Sequence, residues 1–293
     1  MTLGSYIFRR NCTKSDTKRD KGLTTPSDIE RFNNVEYGPN GKWNLLDVYR
    51  PKDMQTNVLP VIVSAHGGGW VYGDKDVYQY YCMNLAQRGF VVVNYSYRLA
   101  PEYKFPAQIE DTNMVFEWLM EHASQYAMDI DNIFFLGDSA GGQMTGIYTN
   151  ILCNSEYAGR FDFKAPEGLK LKAIGLNCGK YNLANDASDM FVKDLFKNKG
   201  TEAERDMLSV TNHVTDAWPP CYIFTATKDF LIDEPKALIE KLDKYSIKYE
   251  FKIYGDKEHD LYHVFHCDIK TEAAKITNDD ECNFFMKIAR NDY

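Results

Sequence analysis

Apolar positions in this chain gather into short, nearly unbroken runs rich in β-branched and aromatic residues. The clearest are Leu59-Pro60-Val61-Ile62-Val63-Ser64-Ala65, Phe90-Val91-Val92-Val93-Asn94-Tyr95, Phe134-Phe135-Leu136 and Cys221-Tyr222-Ile223-Phe224-Thr225-Ala226-Thr227. Runs of this kind suit strands covered on both faces. Helical spacing fills the gaps, over 78–87, from Ala107 onward and over 140–152. Strand, helix, strand in succession predicts parallel pairing through right-handed crossovers. Two further strands are expected at 169–177 and 248–254. Near the start, Asn40-Gly41 lies between the extended runs 34–38 and 43–50, a hairpin signal that places two antiparallel strands at one side of the sheet. The expected class is α/β with a mostly parallel sheet.

Three stretches fall outside that alternation. Residues 1–32 are polar and mixed in charge and read as an N-terminal arm, helical in part, lying over the body. Between 178 and 219 no strand fits, while Met190-Phe191, Leu195-Phe196 and Met207-Leu208 sit at helical spacing in a polar background. From 270 to 290 a C-terminal helix is expected, interrupted near Asn278-Asp279-Asp280.

Composition narrows the class further. At 293 residues, 44% hydrophobic and 26% charged, the chain can bury a large core, and we expect one domain over 1–293. A net charge of −8 opposes phosphate backbones and anionic membranes, so nucleic acid is not an expected partner. No segment approaches the ~20 apolar residues of a membrane span and the first ten lack a secretory core, which points to a cytoplasmic protein. Seven cysteines, an odd count without CxxC pairs, favour buried free thiols over a disulfide frame, and zinc or another cofactor is not indicated. Assembly as a homo-oligomer stays open.

The candidate chemistry starts where the third apolar run stops, at Gly137-Asp138-Ser139-Ala140-Gly141-Gly142. A Gly-x-Ser-x-Gly turn between strand and helix lifts a serine hydroxyl above the sheet, which makes Ser139 the candidate nucleophile. The alternative is a packing turn. After 59–65 comes His66-Gly67-Gly68-Gly69-Trp70, and three successive glycines behind a buried strand cost chain entropy unless backbone must approach closely. Gly68 and Gly69 can direct N–H groups at a developing oxyanion, joined by the N–H of Ala140. Arg98, Glu102 and Asp111 read as charges bracing the loop before the helix at 107.

Taken together, His66-Gly67-Gly68-Gly69-Trp70, Tyr97-Arg98-Leu99-Ala100-Pro101-Glu102 with Phe105-Pro106-Ala107, and Gly137-Asp138-Ser139-Ala140-Gly141-Gly142 resemble the hormone-sensitive-lipase-like branch of the α/β-hydrolases, over roughly 43–265. The resemblance implies a central, mostly parallel eight-stranded sheet flanked by helices, with about 178–219 forming a small cap. It implies a serine esterase of small or medium acyl groups, of carboxylesterase or acetyl esterase type, with an ester as its small-molecule substrate. The acid falls on Asp229 of Asp229-Phe230-Leu231, since Asp233 reads as the cap of the next helix. The base falls on His263 of His263-Val264-Phe265, with His259 as the alternative and His266 at the entrance or packed inside. A non-catalytic small-molecule receptor and an amidase or peptidase are the other functions open at this stage.

Overall fold

The computed structural model describes residues 1–54, 57–183 and 192–293. Its strands are β1 (Ile29–Glu36), β2 (Leu45–Pro51), β3 (Leu59–Ala65), β4 (Val91–Tyr95), β5 (Met128–Asp138), β6 (Leu171–Asn177), β7 (Cys221–Ala226) and β8 (Tyr249–Tyr254). They form one eight-stranded sheet in the order β1-β2-β4-β3-β5-β6-β7-β8. β1 and β2 pair antiparallel, as do β2 and β4, and from β4 to β8 every neighbouring pair is parallel.

The helices are α1 (Leu3–Asp20), α2 (Lys75–Ala86), α3 (Ala107–His122), α4 (Ala140–Cys153), α5 (Ser155–Ala158), α6 (Val192–Leu195), α7 (Glu202–Met207), α8 (Glu234–Lys244) and α9 (Glu272–Ala289). They cover both faces of the sheet. Val61, Val63 and Phe135 pack with Phe116 and Leu119 of α3, Ile147 and Tyr148 of α4 and Leu238 of α8. Their neighbours Ile62 and Phe134 point the other way, toward Tyr81 and Leu85 of α2 and Phe284 and Phe285 of α9. Successive strand residues alternate between faces, and here both faces are core, which explains why the apolar runs are unbroken. The parallel order also brings the carboxyl ends of β3, β5 and β7, and the loops that follow them, to one edge of the sheet.

Several boundaries differ from the sequence reading. β1 begins at Ile29, inside the stretch read as an arm, and Ile29, Arg31 and Phe32 pair with Pro51, Tyr49 and Val48. Only one of its eight residues is buried, so a half-solvated edge strand hid in a polar pattern. The link to β2 is not a two-residue turn: a 3-10 turn covers Gly41–Asn44, and the Asn44 side chain accepts from the backbone N–H of Asn40. α9 runs through Asn278-Asp279-Asp280 without a break. There Asn278 is buried and donates to the carbonyl of His266, Asp279 pairs with Arg88, and Asp280 pairs with Lys252 and accepts from Tyr254. Asp233 precedes α8, yet its side chain makes no cap and pairs with Lys236 instead. Of the cap stretch, Leu195, Phe196 and Leu208 are buried, whereas Met190 and Phe191 lie outside the described residues. The loop charges behave as read: Arg98 pairs with Asp111 and Glu110, and Glu102 pairs with Arg9.

Candidate active site

Ser139 sits between β5 and α4 at φ 53° and ψ −115°, a conformation that side-chain-bearing residues rarely adopt. The turn closes because position 141 lacks a side chain; a Cβ there would lie on the carbonyl oxygen of Ala65. The serine N–H donates to the carbonyl of Asn177 at 3.0 Å, which fixes the turn against β6. Its hydroxyl lies 3.0 Å from Nε2 of His263, and Nδ1 of His263 lies 2.8 Å from Oδ1 of Asp229. A carboxylate only accepts, so it selects the tautomer with Nδ1–H donating, and Nε2 is then free to accept from the serine hydroxyl.

Asp229 is held from several sides. Oδ1 also accepts from the N–H of Leu231 at 2.8 Å, and Oδ2 from Oγ1 of Thr225 at 3.2 Å. Burial alone would raise this carboxyl, but the hydrogen bond and charge of His263, the Leu231 N–H and the thiol of Cys178 outweigh it and hold it below its usual range. Phe230 lies over the His263 ring with centroids 4.3 Å apart, shielding one face of it. His259 is elsewhere: its side chain is 76% exposed and bonded to Asp256. His266 is buried rather than at the entrance, edge-on to Tyr81 and Phe224. Among the three histidines of this loop, His263 is the one brought to Ser139.

The glycine loop faces the same spot. Gly67, Gly68, Gly69, Ser139, Ala140 and His263 line one cavity. Gly68 has φ 116°, and a Cβ on it would collide with the carbonyl of Tyr72, so both shape and dihedral require glycine there. The loop is anchored by Asp138, the residue before the serine. One of its oxygens accepts from the N–H of Gly67 at 3.2 Å and the other from the hydroxyl of Tyr78 at 2.7 Å. Complete burial pushes the Asp138 carboxyl up to about 6. Beneath the loop, burial lowers His66 to about 4, so its ring is neutral near pH 7. Nδ1–H of His66 donates to the carbonyl of Gly67 at 2.7 Å, and the ring stacks on Tyr97 at 4.0 Å.

The cavity encloses about 450 Å³, and one of its walls was not anticipated. Phe8, Cys12, Asp16 and Arg19 of α1 line it. They stand at i, i+4, i+8 and i+11 and so share one face of the helix. α1 is tied down by Arg9, which donates to the carbonyls of Val71 and Ala100 and pairs with Glu102, and by Asp16, which accepts from the hydroxyl of Tyr72. Its first turn is joined to α6, where Asp194 accepts from the N–H and hydroxyl of Thr2. That spacing was present in the sequence, but in polar surroundings it did not mark which face of the arm meets the body or that it reaches the site. Cys178 and Asp138 also escaped the sequence reading, one as a thiol among seven and the other as the variable position of the elbow.

Two groups of potential metal ligands occur among the described residues, Asp138 with His266 and Cys267, and Cys178 with Asp229 and His263. In both, the carboxylate is already engaged, by Gly67 and Tyr78 in the first and by His263, Leu231 and Thr225 in the second. All seven cysteines are free, and Cys82, Cys178, Cys221, Cys267 and Cys282 are buried. No described helix is long and apolar enough to cross a membrane.

Comparison with known proteins agrees with this architecture. An acetyl esterase of Salmonella schwarzengrund (strain CVM19633) is 26% identical over 229 residues, which are 74% of this chain and 68% of that protein. An acetyl esterase of Salmonella paratyphi B is 27% identical over 68% of this chain and 64% of its own length, so the chain spans about two thirds of these relatives. Among solved structures, an inhibited esterase B from Lactobacillus rhamnosis superposes with a TM-score of 0.90 at 24% identity, covering 99% of this chain and 96% of that one. An esterase from Pyrobaculum calidifontis gives 0.78 at 24% identity, covering 98% and 94%. At such identities the structural likeness is one of fold. The profile of a family described by its alpha/beta hydrolase fold matches residues 62–263, most of the chain, and the protein belongs to that family.

Proposed function

We propose that this protein is a carboxylic ester hydrolase with Ser139 as nucleophile, His263 as general acid and base, and Asp229 as the group that orients the imidazole. The observation that carries the reading is the unbroken relay of 2.8 Å and 3.0 Å from Asp229 through His263 to the Ser139 hydroxyl. His263 takes the serine proton as Oγ attacks the ester carbonyl. Asp229 stabilises the resulting imidazolium and stays ionised. The N–H groups of Gly68, Gly69 and Ala140 receive the charge that develops on the carbonyl oxygen, and the positive end of α4 adds to them. The imidazolium then protonates the departing alkoxide, and the acyl group remains on Ser139. Water, deprotonated by the same ring, releases the acid and restores the hydroxyl.

The acyl group is small or medium. A cavity of about 450 Å³ with Phe8, Trp70, Leu195 and Phe230 in its lining supports short apolar acyl chains, in keeping with relatives described as acetyl esterases. A receptor reading needs a broken relay, which these distances do not favour. An amidase reading is separated by comparing anilide with ester turnover. We read 1–293 as one domain with an N-terminal arm at 1–32 and a partial cap at about 178–219, of which 184–191 lie outside the described residues. Five buried free thiols favour a reducing, cytoplasmic setting.

The test is Ser139→Ala. Hydrolysis of p-nitrophenyl acetate and butyrate should fall at least ~10³-fold, and labelling by a fluorophosphonate probe should vanish. Retained turnover in that variant defeats the assignment.

A further inference from the structure

The two faces of α1 differ. Its inner face carries Phe8, Cys12, Asp16 and Arg19 into the cavity wall. At about 100° per residue, Leu3, Tyr6, Ile7, Arg10, Lys14 and Lys18 fall together on the opposite side, and all six are exposed. Along that outward stripe the N-terminal half is apolar, with Leu3, Tyr6 and Ile7 exposed to 74%, 52% and 48%, and the rest is basic. No carboxylate interrupts it. The helix's two acids, Asp16 and Asp20, turn inward and pair with Arg19. Among the described residues Arg10, Lys14 and Lys18 enter no ion pair.

We propose that this face of α1 docks the protein on an anionic lipid surface. The chain-wide charge of −8 argues the other way only if charge is spread evenly, and on the outward face of α1 three cations, Arg10, Lys14 and Lys18, stand without an acid among them. A helix with basic residues beside Leu, Ile and Tyr suits the headgroup boundary: the apolar side chains enter the acyl region and the cations meet lipid phosphates. A phosphate backbone offers nothing to Leu3 and Ile7, whereas acyl chains bury them, which is why lipid is favoured over a polyanion. Docking does not depend on the hydrolytic reading.

The experiment is co-sedimentation of the full chain with phosphatidylcholine vesicles, with and without about a third of phosphatidylglycerol, at low and high salt. Binding is expected to the anionic vesicles at low salt, little to the neutral ones, and a loss at high salt. Lys14→Glu with Lys18→Glu should weaken partitioning by more than tenfold. Leu3→Ser with Ile7→Ser should weaken it severalfold. Turnover of dissolved p-nitrophenyl acetate should be unchanged in both, which shows that they are folded. Absence of binding to anionic vesicles at low salt overturns the proposal, as does binding that neither pair of substitutions reduces. Loss in the charge variant alone, with equal affinity of the wild type for soluble heparin, overturns it too, since that is the behaviour of a polyanion site.

Discussion

The carboxyl group of Asp138 joins the strand carrying the candidate nucleophile to the loop carrying two of the proposed oxyanion donors. It accepts from Gly67 N–H and from Tyr78, and Tyr78 in turn accepts from Gly67 at 3.0 Å. An ionised carboxylate can serve both donors; a protonated one must give up an acceptor site. Because burial raises this group to about 6, it takes up its proton within the range where an esterase is assayed. The ionised, loop-ordering form is therefore fully present well above pH 6 and lost as pH falls through that value. Loss of that form should steepen the acid limb of log kcat/KM near pH 6. In Asp138→Asn that steepening should disappear, with kcat about tenfold lower and KM little changed, because a loop misplaced by a fraction of an ångström loses transition-state contacts more than ground-state ones. Matching slopes in wild type and variant count against Asp138 as the positioning group.

At the scale of elements, α1 turns an open sheet edge into a walled cavity, and this part of the site was least legible in the sequence. Cys12 lies in that wall and is not reactive in itself, since burial pushes its thiol up to about 11. Cys12→Trp should therefore act by volume alone. Turnover of acetyl esters should stay within about threefold of wild type while hexanoyl esters lose more than tenfold, as a p-nitrophenyl chain-length series would record. Equal loss across the series places the acyl chain elsewhere. The parallel strands were readable because each is covered on both faces and leaves an unbroken apolar run, and the elbow and glycine loop because their backbone geometry demands small residues. β1 was clipped because an edge strand is half-solvated and its pattern is polar. α9 looked broken at 278–280 because its polar residues there are buried or paired with other elements, partners that periodicity cannot reveal. His263 and His259 were separable only by family likeness, since the loop after β8 has no period to count. Three-dimensional closure against Asp229 distinguishes them.

Across the whole molecule the polar interior continues behind the elbow. Glu281 of α9 is fully buried and bonded through Oε2 to the side-chain amide of Asn177, at the end of β6 and one hydrogen bond from Ser139. Room for it exists because residue 175 is glycine; a Cβ there would lie on Oε1 of the carboxyl. Burial, with the nearby charge of Asp138 adding to it, pushes Glu281 up to about 8, so it is mostly neutral at pH 7. Its folded-state value thus lies above the value of about 4.3 expected in the unfolded chain. Below pH 4 both states hold the proton and folding is unaffected. Between those values the unfolded chain releases the proton while the folded one keeps it, so stability declines as pH rises and levels off above 8, at a total cost on the order of a few kcal/mol. Glu281→Gln keeps an acceptor for Asn177 and removes the titration. Its melting temperature should exceed that of wild type by about 5 °C at pH 8, and the gain should disappear near pH 4.5, where both side chains are neutral. Thermal unfolding of the two proteins followed by circular dichroism across that range reads the difference directly. A gain of the same size at both ends would mean that the substitution acts through packing of α9 on the sheet and that the Glu281 proton contributes nothing to the pH dependence of the fold.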